Sequence, residues 1–243
     1  MTRKIGLIFS LIGFVLVHAV FAYLVFWLAD IIFEQTISSP ARTGIVPAAA
    51  MDFFLIALFG CQHTSMARGA FKSLTSPIVP PGLERTVYVW WSVLALFVVV
   101  HFYQPIPVTL WKIDNTIALV VIWTLFVLGW AIASAAYLSI GIFYLLGVSQ
   151  AVAWYKNEPQ PSPPLVDGYA YRWVRNPQQL GLLIAFWSTP HMTFGHLIFA
   201  VGMSSYIAVG MAFEDRDLIA RFGESYLAYK NRVPAIFPRI FRR

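Results

Sequence analysis

The chain has 243 residues, 59% of them hydrophobic and 12% charged, with a mean hydropathy of +0.69. Soluble domains carry about 25% charged residues, so this composition excludes an ordinary water-soluble domain and indicates one compact membrane domain, residues 1–243. The formal net charge of +6 is read first as membrane topology and lipid contact rather than nucleic-acid binding, and a single cysteine, Cys61, excludes an internal disulfide.

The N-terminus, MTRKIGLIFSLIGFVLVHAVFAYLVFW, starts basic, as a secretory signal does. Its apolar run is too long for a signal sequence and lacks a small-residue cleavage site, so it reads as a retained span. A bilayer core of roughly 30 Å needs about 20 helical residues. Uncharged runs then predict spans at about 5–31, 47–67, 86–104 and 116–138, the second with Asp52 near one end. The fourth run extends past one crossing, to Tyr155, and predicts a further helix along the surface. Two proline-rich stretches, Thr75–Gly82 and Asn157–Pro164, read as semi-rigid connectors. No internal repeat is evident, which gives a passive transporter nothing to recommend it.

The last apolar run, Asn176–Phe213, is too long for one span and short for two. Pro190 interrupts it, and proline breaks the helical ladder. This predicts a short helix of about 12 residues, a turn, then a longer helix to about Phe213. Twelve residues rise only about 18 Å, so the pair reads as a re-entrant hairpin. The predicted fold is all-α: four full spans plus that C-terminal hairpin and a tail. With the N-terminus in the cytosol, 15 of the 17 Lys and Arg fall on the inner side. That count includes Arg216, Arg221, Arg239, Arg242 and Arg243, while the outer loops hold only Arg42 and Lys112. The positive-inside rule is met only if the last run returns to the cytosol. Both termini are therefore expected there, in what reads as a bacterial inner membrane.

On this topology Tyr171–Trp187, YRWVRNPQQLGLLIAFW, leads into the hairpin. Asn176 suits a helix N-cap and Pro177 the first helical position. The first-turn N–H groups and Arg175 then face a polar ligand at the membrane boundary. The other arm leaves as FEDRDLIARFGESYLAYKNRVPAIFPR, where Glu214 and Asp217 share a helix face. A donor-rich cap beside a carboxylate cluster suits a ligand anionic at one end and cationic at the other. Spacing alone leaves a second reading open, that these charges are interfacial anchors.

GYAYRWVRNPQQLG, a helical hairpin, then the acidic pair and GESYLAYKNRVPAIFP resemble the C-terminal half of the isoprenylcysteine carboxyl methyltransferase and phospholipid N-methyltransferase superfamily. GCQHTSMARGAFK and PGLERTVYVWWSVLAL resemble its NnrU-type branch. Both halves, with AFWSTPHMTFGHLIFA, are most similar to the bacterial methanethiol S-methyltransferase family, over nearly the whole chain. The resemblance implies S-adenosyl-L-methionine as cofactor and methyl transfer to a small thiol, methanethiol to dimethyl sulfide. It divides the chain into N-terminal spans, 1–147, and a cofactor-binding hairpin and tail, 165–243.

Residue by residue, Arg175, Pro177 and Gly181 match the first motif, Glu214 the first acid, and Arg216, Gly223, Glu224, Tyr226 and Tyr229 the tail. Asn176 stands where the superfamily commonly has histidine, and Asp215 where it has a second glutamate. Asn176 cannot titrate, so a general base there is in doubt. The expected cofactor-binding residues are Arg175, Asn176, Pro177, Gln179, Gly181, Glu214, Arg216, Tyr226 and Tyr229. Arg175 faces the cofactor's carboxylate, Glu214 or Asp217 its positive groups, and Trp173, Tyr226 or Tyr229 its adenine. His63 and Asp217 are the catalytic candidates, His63 as acceptor of the thiol proton. The blander reading of His63 is a histidine satisfied by a neighbouring helix.

A small apolar thiol enters such a site from lipid; membrane lipids are the other expected partners, and no protein partner is evident. None of the five histidines shows a metal-ligand spacing. Two other classes stay open: an NnrU-like accessory or haem-binding protein of nitrogen-oxide metabolism, and a methyltransferase for isoprenylcysteine or another lipidic substrate.

Overall fold

The structure is a computed structural model that describes residues 2–162 and 164–237. Pro163 of the second proline-rich stretch, and Arg239, Arg242 and Arg243 of the charge count, lie outside the described residues. In chain order the elements are α1 (Arg3–Leu28), α2 (Ile45–Met66), α3 (Gly69–Thr75), α4 (Glu84–Phe102), β1 (Thr109–Lys112), α5 (Thr116–Ile140), α6 (Ile142–Leu145), α7 (Val148–Lys156), α8 (Pro177–Trp187), β2 (His191–Thr193), α9 (Phe194–Phe222) and α10 (Glu224–Arg232). Among the described residues five helices are long and apolar enough to cross a bilayer: α1, α2, α4 with the helical turn before it, α5 and α9. They present large apolar side chains outward, such as Val15, Ile117 and Val120, as lipid-facing surfaces require. The chain is an integral, all-α membrane protein with one two-stranded ribbon, β1–β2.

The four predicted spans match α1, α2, α4 and α5 to within a few residues. The surface helix expected after the fourth span is instead two short helices. Gly141 and Gly147 adopt φ of +100° and +84°, conformations that favour glycine, and they separate α5, α6 and α7.

Contacts group the chain into two compact units. The first holds Met1–Thr109, Gly141–Ser162 and Thr193–Gly202. Within it small residues on α1 admit close neighbours: Gly13 lies under the Trp90 indole, and buried Ser10 accepts from Thr86 Oγ1 at 3.0 Å. Asp52 is fully buried and accepts the Gln104 N–H at 2.8 Å. Tyr103 donates to the Gly195 carbonyl at 2.9 Å.

The second unit holds Leu110–Ile140, Pro163–Met192 and Met203–Arg243. Its centre is the α5–α8 pair. The hairpin takes the predicted form, an 11-residue α8, a turn and a longer helix, but α9 runs 29 residues, to Phe222. Trp187 Nε1 donates to Ser204 Oγ at 3.0 Å, and Gln179 Nε2 to Glu214 Oε2 at 3.1 Å. These two bonds, near opposite ends of α8, fix the arms as antiparallel. The turn is tied to the residues just before α5: Ile113 N–H donates to Pro190 O at 2.9 Å, and the Trp111 indole to Thr189 O at 3.2 Å. It thus lies level with the first residues of α5. After α8, of only about 16 Å, the chain turns at Ser188, where the Thr189 N–H donates to Trp187 O at 3.1 Å, and then runs into β2.

Candidate functional site

The start of α8 and the tail meet at one end of the second unit. Arg175 N–H donates to Pro234 O at 2.8 Å and Asn176 N–H to Ala235 O at 3.0 Å. Pro177 occupies the first helical position, as expected, because its missing N–H costs nothing there. Asn176 stands at the N-cap position, yet its side chain makes no capping bond. Its Nδ2 donates instead to Ala235 O at 3.2 Å, so it binds the returning chain and leaves the helix start uncapped.

Arg175 is the hub. Its NH1 donates to Val233 O at 2.8 Å and Lys230 O at 3.1 Å, and its NH2 to Asp215 Oδ2 at 3.1 Å. Nε is buried and has no hydrogen-bond partner among the described residues. Asp215 also receives Lys230 Nζ at 2.8 Å and the Tyr226 hydroxyl. One carboxylate therefore gathers three donors from two segments. The Arg175 side chain is 10% exposed and that of Asp215 18%, a depth at which charge-assisted bonds hold firmly. Both terminal nitrogens of Arg175 thus have partners within the protein.

Tyr226 and Tyr229 are buried with Ala136, Tyr171 and Val233. The Tyr229 hydroxyl donates to Tyr171 O at 2.6 Å. Both rings are core; of the three aromatics expected near the adenine, Trp173 is 61% exposed, with the Arg172 guanidinium 5.4 Å from its ring. Burial, reinforced by the bond to Asp215, raises the Tyr226 hydroxyl above its ordinary value. Burial pushes Tyr229 up to about 12. Burial and the Glu214 charge raise Tyr171 as well.

Gly181 is a packing residue. A β-carbon there would meet the Gly129 carbonyl oxygen and lie 2.5 Å from Ala133 N. Small residues let helix backbones approach this way in membranes. Glu214 is exposed, about two turns before the end of α9, where the Gln179 amide reaches it. Asp217 and Arg216 are exposed on the same helix, Arg216 5.7 Å from the Phe213 ring. The second unit thus brings together Arg175, Asn176, Pro177, Gln179, Glu214, Tyr226 and Tyr229. His63 belongs to the first unit, where its Nε2 is hydrogen-bonded to the Tyr88 hydroxyl.

Sequence reasoning named Asp215 as the second acid of the pair but not as the partner of Arg175, Lys230 and Tyr226, and it did not single out Tyr88. Asp215 was legible as a signal: in a chain with 12% charged residues, an acid one step beyond Glu214 and unlike in charge to Arg175 has few possible partners.

The chain is 33% identical to a methanethiol S-methyltransferase of Mycobacterium tuberculosis, over 98% of both chains. It is 36% identical to one of Pseudomonas deceptionensis, over 98% of this chain and 90% of the relative. A nurim homolog of Drosophila melanogaster is 27% identical over 74% of this chain and 73% of its own. No protein-family model and no solved structure matches the chain.

Proposed function

This chain belongs to the methanethiol S-methyltransferase family, and from that premise we propose that it transfers a methyl group from S-adenosyl-L-methionine to methanethiol, releasing dimethyl sulfide. The supporting observation is the antiparallel arms, which set the start of α8 beside Gln179 and Glu214. The donor set fits the cofactor's chemistry. First-turn N–H groups of α8 favour a carboxylate, and Glu214 and Asp217 suit an amino group or a sulfonium. When bound, the cofactor supplies an electrophilic methyl on a cationic sulfur. Arg175, through Asp215, Lys230 O and Val233 O, holds the two arms in register. The protein's remaining task is to align a thiol with that methyl and exclude water.

We further propose an inner-membrane location with both termini in the cytosol. The charge bias supports this, together with arms that begin and end at one end of the second unit. Reporter fusions that place the C-terminus outside overturn that orientation. The activity is tested with purified protein, methyl-labelled S-adenosyl-L-methionine and a panel of thiols. Labelled dimethyl sulfide is the expected product. Label appearing only in an isoprenylcysteine analogue, or in nothing, overturns the reading.

A further inference from the structure

Within the first unit a groove of about 350 Å³ runs along α6 and α7, a volume in the range of ligand sites. It is lined by Phe143, Val148 and Val152 from the helices and by Pro159 and Pro161 from the chain beyond them. Its direction is set by α1. The Phe143 ring stacks on that of Phe14 with centroids 5.3 Å apart, and a β-carbon on Gly6 would lie 2.6 Å from Trp154 Cζ3. Gly6 and Phe14 are about 12 Å apart along a helix. The groove therefore reaches from well inside the α1 span to its basic end, where the Arg3 guanidinium lies 5.9 Å from the Trp154 ring.

The basic end is shaped by the chain reversal after α7. Asn157 takes a φ of +64°, its N–H donates to Trp154 O at 3.3 Å, and the Glu158 N–H returns to Ala153 O at 2.8 Å. These two bonds form a Schellman cap. The prolines that follow have φ fixed by their rings and stiffen the reversed chain. Two opposite charges stand here. Glu158 lines the groove. Lys156 follows the lining residues Val152 and Ala153 at helical spacing, so it extends the same face of α7, and it is exposed. Phe143, at the other end, is 55% exposed, an apolar ring that hydrocarbon covers without cost. An apolar trough along a membrane span, with a cation and an anion at its mouth, complements a zwitterionic phospholipid.

We propose that this groove binds phosphatidylethanolamine from the leaflet that meets the basic end of α1, with Glu158 selecting the headgroup. The acyl carbons lie against Phe143 and Val152, the phosphate meets Lys156, and the ammonium donates to the Glu158 carboxylate. A glycerol headgroup offers Glu158 no positive charge, and a choline headgroup has no N–H to donate. The proposal does not depend on the methyl-transfer reading.

Native mass spectrometry of the full chain in detergent, with phosphatidylethanolamine, phosphatidylcholine and phosphatidylglycerol of identical acyl chains at equal concentration, reads which lipid is retained. The wild-type protein should retain phosphatidylethanolamine over phosphatidylglycerol by about 5-fold, the scale of an exposed ion pair. Glu158→Lys, at an exposed position, should reverse that order. Val152→Trp fills the groove and should erase the preference. Phe143→Asp, which puts a charge where the acyl chain lies, serves should Val152→Trp not fold. Phosphatidylglycerol or phosphatidylcholine retained at least as well as phosphatidylethanolamine by the wild type overturns the proposal. So does a preference unchanged in Glu158→Lys, or one that survives in the filled groove.

Discussion

Gly129 on α5 and Gly181 on α8 face each other so closely that a β-carbon on Gly129 would lie 2.7 Å from the Gly181 carbonyl oxygen. Backbone meets backbone, so neither side can yield as a flexible side chain would. Gly181→Ala should destabilise the protein by about 1–3 kcal/mol, the usual cost of overpacking, and Gly181→Val by more. Thermal melts in detergent measure this. A Gly181→Val protein as stable as its parent would remove the close pair as the reason for glycine here.

The Arg175–Asp215 bond joins residues 40 apart in sequence and shares its carboxylate with Lys230 and Tyr226. Asp215→Ala leaves Arg175 NH2 and the Tyr226 hydroxyl without their acceptor. The expected loss is about 1–3 kcal/mol, concentrated in α10. Hydrogen exchange should show α10 amides losing protection ahead of those in α5. Arg175→Lys keeps the charge but cannot serve two carbonyls and a carboxylate at once, and should loosen the same segment. Full protection of α10 in both variants would rule out the clamp.

Glu214 is exposed, so replacing it should leave the fold intact. If it meets the positive groups of the methyl donor, Glu214→Ala weakens binding of S-adenosyl-L-methionine by at least about 10-fold, equivalent to 1.4 kcal/mol. Calorimetry on the folded variant decides, and unchanged affinity takes Glu214 out of the site.

Tyr171, Tyr226 and Tyr229 are held neutral by burial, Tyr229 with its value pushed to about 12. A phenol raised in the folded state binds its proton longer than in the unfolded chain, where it ionises near pH 10. Stability from these groups is therefore complete below about pH 10 and falls as pH rises toward about 12. Melting temperature measured alongside phenolate absorbance should fall in that window. Phenolates appearing near pH 10 with no loss of stability would contradict the buried placement.

Asp52 is fully buried on α2 and accepts the Gln104 N–H just beyond α4. Asp52→Leu strands that donor and should cost about 1–3 kcal/mol. Asp52→Asn retains an acceptor and should cost less. Chemical unfolding in detergent separates the two, and an Asp52→Leu protein of parental stability would show that the bond does not matter.

The spanning helices were legible in the sequence because apolar length is a local property: the runs predicting spans at 5–31, 47–67, 86–104 and 116–138 became α1, α2, α4 and α5. The break at Pro190 and the start at Pro177 were legible for the same reason, since proline acts on its own turn of chain. The reach of the hairpin was not. A short α8 looked like half a crossing, and only the bonds from Ile113 and Trp111 to the turn set it level with the start of α5.

The motif residues were found by type, but their partners were decided by tertiary structure. Arg175 bonds to groups 40, 55 and 58 residues away, and the Tyr229 hydroxyl meets a carbonyl 58 residues away. No spacing encodes such a pairing, because a side chain's partner depends on which helices pack, and that in turn on small residues such as Gly129 and Gly181. His63 was legible as an unusual polar residue in an apolar run. That it faces Tyr88 beside a small cavity follows only from α2 and α4 lying together, since pattern gives a helix its apolar length and packing alone gives it a neighbour.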